Sequence, residues 1–418
     1  MPPVLSGAAF AAESKLFSLD EALALLDSRL GPVAEAETLP VSASAGRFLA
    51  EDVVARTHVP PFDNSAVDGW AVRSADLPAE GEVRLRVAGR SAAGHPFEGP
   101  LAPGAAIRIL TGAPMPAGAD AVAMQEHCRA EDGAVIVPGG LAAGTNRRRA
   151  GEDVAQGAAA LPRGTRLGPA ELGLAAATGH AEVRVHRQLR AAVFSTGDEV
   201  RDPGAPLPPG CLYDSNRRSA SAFLTMLGCA VTDLGILPDR VEAIRGALAA
   251  AAPDHDLLLT SGGVSVGDED HVRPAVEALG TLHFWKLAIK PGKPVALGEV
   301  RGRAFIGLPG NPVAGLVTLM LVARPVVLKL MGARNTAPVR YPVTAGFSLA
   351  RRPGRREWLR ARVAARDGGL AAELYPRQGA GVLSSMVWAD GLVEILEDCG
   401  GVSIGDTVSY IPFAEVTR

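Results

Sequence analysis

The residues best suited to chemistry stand in one run, Thr260-Ser261-Gly262-Gly263-Val264-Ser265-Val266-Gly267-Asp268-Glu269-Asp270. Its glycines let main-chain N–H groups approach a phosphate, and a helix start beyond Asp270 adds partial positive charge. Carboxylates beside such a cradle fit a divalent cation such as Mg2+ held next to the phosphate. The plainer alternative is that Asp268 or Asp270 only caps the helix. A glycine loop followed by three carboxylates favours a ligand site. Basic residues cluster at Lys286, Lys290 and Lys293 and again at Arg147-Arg148-Arg149, the second group also reading as a solvated loop face. Local cationic clusters on a chain of formal net charge -3 suit a small anion better than a nucleic acid.

These residues need elements to hold them. Leu257 to Thr260 reads as a buried strand feeding the loop, and Val272, Ala275, Val276 and Leu279 give a helical period after it. Arg190 to Phe194 is a second strand, followed by the loop Ser195-Thr196-Gly197-Asp198-Glu199. Tyr213-Asp214-Ser215-Asn216 caps a helix carrying Phe223, Leu224 and Leu227; Ala230 to Leu234 is a strand; Asp239 opens a helix with Ile244 and Leu248. Trp285 to Pro294 and Ala304 to Leu308 are extended, and Gly310-Asn311-Pro312 starts a long apolar helix. Strands alternating with helices predict a mostly parallel sheet covered on both faces. Ligands then bind beyond the carboxyl ends of its strands, where both loops sit.

Outside that unit the patterns differ. Residues 1 to about 17 read as loose. Ser18 and Glu21 form a capping box for a helix with Leu23, Leu26 and Leu30 on one face. Ala45, Leu49 and Val53 predict a second short helix from Ser44. Short strands at Val83 to Val87, Ala106 to Leu110, Ala121 to Gln125 and Val135 to Val137, divided by Gly, Pro and Asp, make an all-β module. A helix follows from Pro169 to Thr178. Beyond Pro338 the helical signal disappears, and candidate strands at 341–345, 358–363, 370–374, 392–396 and 408–411 predict a closing β domain or barrel.

At 418 residues the chain needs two to four domains. Its cysteines, Cys128, Cys211, Cys229 and Cys399, form no CxxC pair, which points to a reducing compartment. No signal peptide is expected. The apolar run Val313 to Leu330 is interrupted by Arg324-Pro325, so a buried core helix is expected rather than a membrane span.

Phe62-Asp-Asn-Ser-Ala-Val-Asp-Gly-Trp-Ala, Thr111-Gly-Ala-Pro-Met-Pro, Arg148-Arg-Ala-Gly-Glu-Asp153, Ser195-Thr-Gly-Asp-Glu199, Tyr213-Asp-Ser-Asn216, Thr260-Ser-Gly-Gly-Val-Ser-Val-Gly267, Lys286-Leu-Ala-Ile-Lys-Pro-Gly-Lys-Pro294 and Gly307-Leu-Pro-Gly-Asn-Pro312 follow one another in register. In this order they resemble the MoeA family, the molybdopterin molybdenumtransferases, which is related to the E domain of gephyrin. The resemblance runs from about Ser18 to the C-terminus. Trp70 stands where the family often has Tyr, and Val67 where it often has Met; both keep apolar bulk.

The resemblance implies an α/β plus β fold in an elongated, multidomain subunit. An N-terminal linker and helical domain takes 1–55 and 155–188, an inserted β-rich module 56–154, a MogA-like parallel-sheet α/β domain 189–335 and a C-terminal β-barrel 336–418. It also implies a cytoplasmic homodimer whose site lies between the α/β domain of one subunit and the β-rich segment of the other. Further partners would be a molybdopterin adenylyltransferase and molybdoenzyme maturation proteins, with no nucleic acid and no membrane. The substrates would be molybdate and adenylylated molybdopterin, with Mg2+ assisting release of AMP.

Carried over position by position, the resemblance gives Asp68, Thr111, Asp153, Glu199, Asp239 and Asp270 a bearing on catalysis. Glu199, Asp239 and Asp270 are also the candidate metal ligands, since Mg2+ takes carboxylate oxygens. Molybdopterin-adenylate would meet Arg148, Ser195, Thr196, Gly197, Asp214, Ser261, Gly262, Gly263, Ser265, Lys286, Pro309 and Pro312. Molybdate would meet Lys290 and Lys293, whose compact charge suits an oxyanion free of nearby carboxylates, together with Arg360 and either Ser384 or its neighbour Ser385. Taken singly, Asp68 reads equally as a turn residue, Thr111 as a strand-end hydroxyl and Asp153 as a partner for a nearby arginine. No Cys or His is placed as a nucleophile. Two rival activities share the sequence features: adenylyl transfer onto molybdopterin, because the α/β domain is common to that enzyme, and a non-catalytic scaffold. The extra β domains oppose the first, and the acidic and lysine motifs oppose the second.

Overall fold

The computed structural model describes residues 16–262, 271–292, 294–366 and 369–417. The expected loose segment therefore lies, up to residue 15, outside the described residues. The first helix, Leu19–Arg29, is fixed by its capping box: Glu21 N–H donates to Ser18 Oγ at 3.2 Å and Ser18 N–H to Glu21 Oε2 at 2.9 Å. It buries Leu19, Ala22 and Leu26.

The short helix expected from Ser44 does not form. A single 3-10 turn, Val41–Ala43, ends there, and Gly46 takes a left-handed φ of 77° that breaks any helix. Leu49 then bridges to Val185, and Val53–Val54 pairs with Ala159–Leu161. The helical spacing of Leu49 and Val53 came from burial in one core with Leu161, Leu167, Val183 and Val185, reached in extended conformation.

The β-rich module is a six-stranded sheet, in order Ala121–Met124, Gly69–Val72, Ala105–Ile109, Glu82–Ser91, Ala134–Pro138 and Arg129–Glu131. Side chains alternate between faces along each strand. Trp70 and Val72 enter one apolar cluster and Ala71 another, so the sheet has a core on each side.

The α/β unit is built on a seven-stranded sheet. Arg303–Leu308, Leu257–Ser261, Arg190–Thr196 and Ala230–Leu237 run parallel in that order. The stretch at 285–294, expected to be extended, carries the end of one strand, Gly280–Leu287, the short strand Ile289–Lys290 and the start of another, Pro294–Val300; the first and last add an antiparallel edge. Leu16–Phe17 closes that edge from the start of the chain. The continuous apolar run in the central strand follows from burial on both faces: Leu257 and Leu259 enter one core, Leu258 the other.

The apolar segment Pro312–Leu330 is helical throughout, with mean hydropathy 1.9, long and apolar enough to cross a membrane; 89% of it is buried inside the protein, as a core helix is. It divides into Pro312–Thr318, a π-helical turn Leu319–Ala323, and Arg324–Leu330. Pro325 lacks the N–H that would continue the ladder, and the π turn absorbs that break.

The C-terminal strands Arg356–Arg366, Gly369–Leu374, Tyr341–Ala345, Thr407–Pro412 and Gly391–Ile395 close into a barrel, since the last pairs back with the first. Helical structure does not vanish here. Ser384–Trp388 and Phe413–Val416 are helices of five and four residues, too short to leave a period in the sequence. Ile289–Lys290 leaves the α/β unit and pairs with Arg356–Glu357, binding barrel and α/β unit along one seam.

Candidate active site

The strand ends at Ser195 and Ser261 are register partners, so both hydroxyls reach the carboxyl edge of the sheet together. They open onto a cavity of about 390 Å3. Its walls are Ser195, Thr196, Glu199, Val200, the 212–216 segment, Ser261, Gly262, Gly310, Asn311 and Pro312, and Leu383 reaches it from the barrel domain. The predicted ligand residues Ser195, Thr196, Glu199, Asp214, Ser261, Gly262 and Pro312 thus share one surface.

Each wall group is held by a specific bond. Thr196 Oγ1 donates to Asp239 Oδ1 at 2.9 Å, which fixes the Asp239 carboxylate behind the strand end. Ser261 Oγ donates to the Pro309 carbonyl at 3.3 Å and accepts from Asn216 Nδ2 at 2.8 Å. Asn216 Nδ2 also donates to the Gly310 carbonyl at 2.7 Å, tying three loops together. Gly197 has φ 140°, and a Cβ there would stand 2.6 Å from Glu199 Oε2, so only glycine lets Glu199 fold over this turn. Gly262 has φ 88°. Ser195 Oγ is buried and has no protein partner among the described residues. A buried hydroxyl without a bond is costly, which marks it as a group awaiting a ligand or water.

The expectation that Tyr213 to Asn216 caps a helix is met by one residue only. Asp214 Oδ1 accepts from Arg217 N–H at 3.1 Å, while its Oδ2 pairs with Arg217 Nε at 2.8 Å. Both side chains are buried. Arg217 also pairs with Asp202 and Asp233. Burial works against its charge, but the bonds to Asp214 and Asp233 outweigh that and hold the guanidinium above its ordinary range. Asp214 therefore shapes the wall with its carboxylate already committed. Asn216, quoted in the sequence motif only as part of a cap, is the residue that joins the wall; its amide, able to donate twice, was the available signal.

At the barrel seam, Lys290 Nζ lies 2.7 Å from Glu357 Oε1. This corrects the expectation of an oxyanion corner free of carboxylates: pairing of Ile289–Lys290 with Arg356–Glu357 puts an acid beside the lysine. Arg360 is buried, with Nε donating to Ser385 Oγ at 3.0 Å and Nη2 to the Gly379 carbonyl at 3.1 Å. No carboxylate pairs with it among the described residues, and burial pulls its pKa down to about 10. Of the two serines left open, Ser385 is the one bonded to Arg360; Ser384 is exposed and lies 3.3 Å from the Tyr375 hydroxyl. Lys286 is exposed on its strand. Gly263, Ser265, Asp270 and Lys293 lie outside the described residues. Among the described residues no group of three His, Cys, Asp or Glu stands together as a metal site.

The module residues form their own cluster. Thr111 donates to Asp68 Oδ1 through both its N–H and its hydroxyl, each at 2.7 Å. The Thr111 hydroxyl, then its N–H, hold the Asp68 carboxyl below the usual range. Asp63 accepts from Ala150 N–H at 2.8 Å and pairs with Arg147, shaping the 147–150 turn. Arg148 is exposed beside Asn64 on a two-residue ribbon, and exposed Asp153 donates its N–H to the Val59 carbonyl at 3.0 Å. No cavity wall comes from this module, so within one chain Asp68, Thr111, Arg148 and Asp153 are not brought to the cavity.

Residues 17–179 match the MoeA N-terminal region (domain I and II), and residues 342–413 match the MoeA C-terminal region (domain IV). Residues 192–329, which carry the cavity floor, match the probable molybdopterin binding domain. The chain belongs to the MoeA family. The MoeA assignment extends over nearly the whole chain. The molybdopterin molybdenumtransferase of Haemophilus influenzae is 40% identical over 401 residues, covering 95% of this chain and 99% of that protein. Molybdopterin molybdenumtransferase 2 of Mycobacterium tuberculosis is 37% identical, covering 88% of this chain and 93% of its own length. The solved molybdopterin biosynthesis moeA protein from Pyrococcus horikoshii OT3 superposes with a TM-score of 0.80 at 28% identity, covering 95% of this chain and 100% of that one. MoeA membership places the chain among the transferases of molybdenum cofactor biosynthesis.

Proposed function

We infer that this MoeA-family chain inserts molybdenum from molybdate into adenylylated molybdopterin and releases AMP. The observation that carries this reading is the cavity wall at the sheet's carboxyl edge. There Ser195 presents a buried hydroxyl, unpartnered among the described residues, beside Ser261, Gly262 and Asn216. Such donors suit the phosphates of a nucleotide-tagged substrate. The molybdate dianion would be met on the barrel side, where Arg360 is a desolvated cation and Lys290 an exposed one. In the overall step, water opens the phosphoanhydride, AMP leaves, and the two dithiolene thiols replace one molybdate oxygen, which leaves as water with their protons.

Glu199 on the cavity wall and Asp239 behind it would supply hard oxygen donors of the kind Mg2+ takes, from two neighbouring strand ends of this unit. The bond from Thr196 holds Asp239 in one orientation, and Gly197 leaves room for Glu199. Bound there, Mg2+ would neutralise charge as the phosphoanhydride opens. Asp68, Thr111, Arg148 and Asp153 would act on the cavity of a second subunit in a homodimer. A cytoplasmic setting fits the free thiols: burial pushes Cys128 up to about 11 and Cys229 up to about 12, so both stay protonated and unreactive.

The test incubates the purified protein with adenylylated molybdopterin, molybdate and Mg2+ and measures AMP and molybdenum-loaded pterin together. AMP release that depends on Mg2+ and is lost in Glu199→Gln supports the reading. Mixing inactive Asp68→Asn with inactive Glu199→Gln should restore about a quarter of the activity if the site is shared across a dimer, the fraction that random pairing of subunits gives. ATP consumption without molybdenum loading would favour adenylyl transfer instead.

A further inference from the structure

Two cations flank the barrel seam, and they differ in what already holds them. Arg360 is enclosed, and among the described residues its guanidinium is bonded only to a hydroxyl and carbonyls. Lys290 is more than half exposed, yet its ammonium is engaged by Glu357, whose side chain is only 9% exposed. Glu357 Oε2 also lies 3.7 Å from Arg351 Nε, on a side chain 7% exposed. The arrangement is set by backbone pairing, because Lys290 and Glu357 are register partners on parallel strands. Glu357 also favours the charged form of Arg360 electrostatically. A carboxylate in this place neutralises the charge that a dianion would need.

We propose that Glu357 is a resident counter-ion for Lys290, and that molybdate binds by exchange, taking the ammonium over from Glu357 rather than meeting a free cation. This rests on the molybdate reading of Lys290. Arg351 makes the exchange feasible: when Lys290 turns to the oxyanion, Glu357 keeps a buried cationic neighbour and is not left alone in a dry place. The exposure of Lys290 supplies the freedom to swing, since a lysine stem is long and its ammonium compact. Glu357 is thus a positioning residue that sets how tightly molybdate is held, acting through Lys290 without touching the reacting atoms. The exchange also screens the site against weakly charged anions, which cannot compete with a carboxylate already in place.

The experiment titrates sodium molybdate into the full-length protein by calorimetry for the parent, Glu357→Gln, Lys290→Ala and the double variant. Glu357→Gln keeps the size of the side chain and is expected to tighten molybdate binding about fivefold, the equivalent of one partly exposed ion pair. In turnover, KM for molybdate should fall by more than kcat changes, a split that a merely structural role would not give. In the Lys290→Ala background the same Gln substitution should bring no gain, because the competition runs through the ammonium. Unchanged or weaker molybdate binding by Glu357→Gln overturns the proposal, as does a gain that persists without Lys290. If Lys290→Ala alone leaves molybdate binding unchanged, the molybdate reading of this lysine fails first, visibly and without reference to Glu357. Should Glu357→Gln not fold, Glu357→Asp withdraws the carboxylate by one methylene and is expected to give a smaller gain in the same direction; no gain there overturns the proposal too.

Discussion

The cavity floor in the α/β unit and the Asp68 turn in the inserted module both look, in sequence, like dense groups of side-chain donors and acceptors. In the fold they part company. Around Asp68 the carboxylates are spent: Thr111 gives Asp68 two bonds, and Asp63 is taken up by Ala150 and Arg147, although Asn64 Oδ1 there is buried without a partner among the described residues. At the cavity floor Ser195 Oγ is buried and unspent among the described residues, while Ser261, Asn216 and Thr196 are locked so that their faces stay put. Satisfied groups hold a turn's shape. An unsatisfied one in a rigid setting is where a ligand recovers a lost hydrogen bond. In the proposed homodimer the module's side chains would serve catalysis by being presented, ready-shaped, to another subunit.

The largest effect expected from testing this contrast lies beneath the cavity wall. Arg217→Met leaves Asp214 buried without its cation and should cost about 3–5 kcal/mol, read by urea unfolding. If the loss is small, the wall is not built on that ion network and the contrast weakens.

Next in size is Ser195→Ala. Removing an unpartnered buried hydroxyl should leave the free protein as stable or raise its stability by about 1 kcal/mol. The same change should weaken AMP binding about tenfold, measured by calorimetry, if the hydroxyl waits for the ligand. Lost stability with unchanged AMP affinity would mean that the hydroxyl has a structural partner instead.

The smallest effect belongs to the module. Asp68 has its carboxyl held below the ordinary 3.8, first by the Thr111 hydroxyl. A depressed folded pKa contributes stability that is fully present above the unfolded value. It is lost as pH falls below 3.8 through the folded pKa. Thr111→Val should therefore move the Asp68 carboxyl resonance back toward its ordinary titration midpoint in an NMR titration, with melting at neutral pH hardly changed because the pair is exposed. An unmoved midpoint would mean that the turn, and not the hydroxyl, sets the charge.

Some of this was legible in the chain before folding. The capping box at Ser18 and Glu21 specifies its helix from contacts three residues apart. Trp70, Ala71 and Val72, apolar in succession, have the composition of a strand covered on both faces. Leu257-Leu258-Leu259 likewise reads as a strand buried on both sides. Leu49 and Val53 misled because helical spacing also arises when an extended chain crosses one core twice. Asn216 was hidden inside a motif that local rules read as a cap. Glu357 carried no local signal at all, since its partner lies on another strand of another unit.

The sequence alone determined most of the element types and the family, because capping, apolar runs and the motifs are each written within a few residues of one another. Only the tertiary structure decided which polar groups are spent and which are free. Ser195 stands open among the described residues, Asp214 is committed to Arg217, and Lys290 is held by Glu357. Hydrogen-bond and charge satisfaction depend on partners brought together through space, and strand register, not spacing along the chain, chooses those partners.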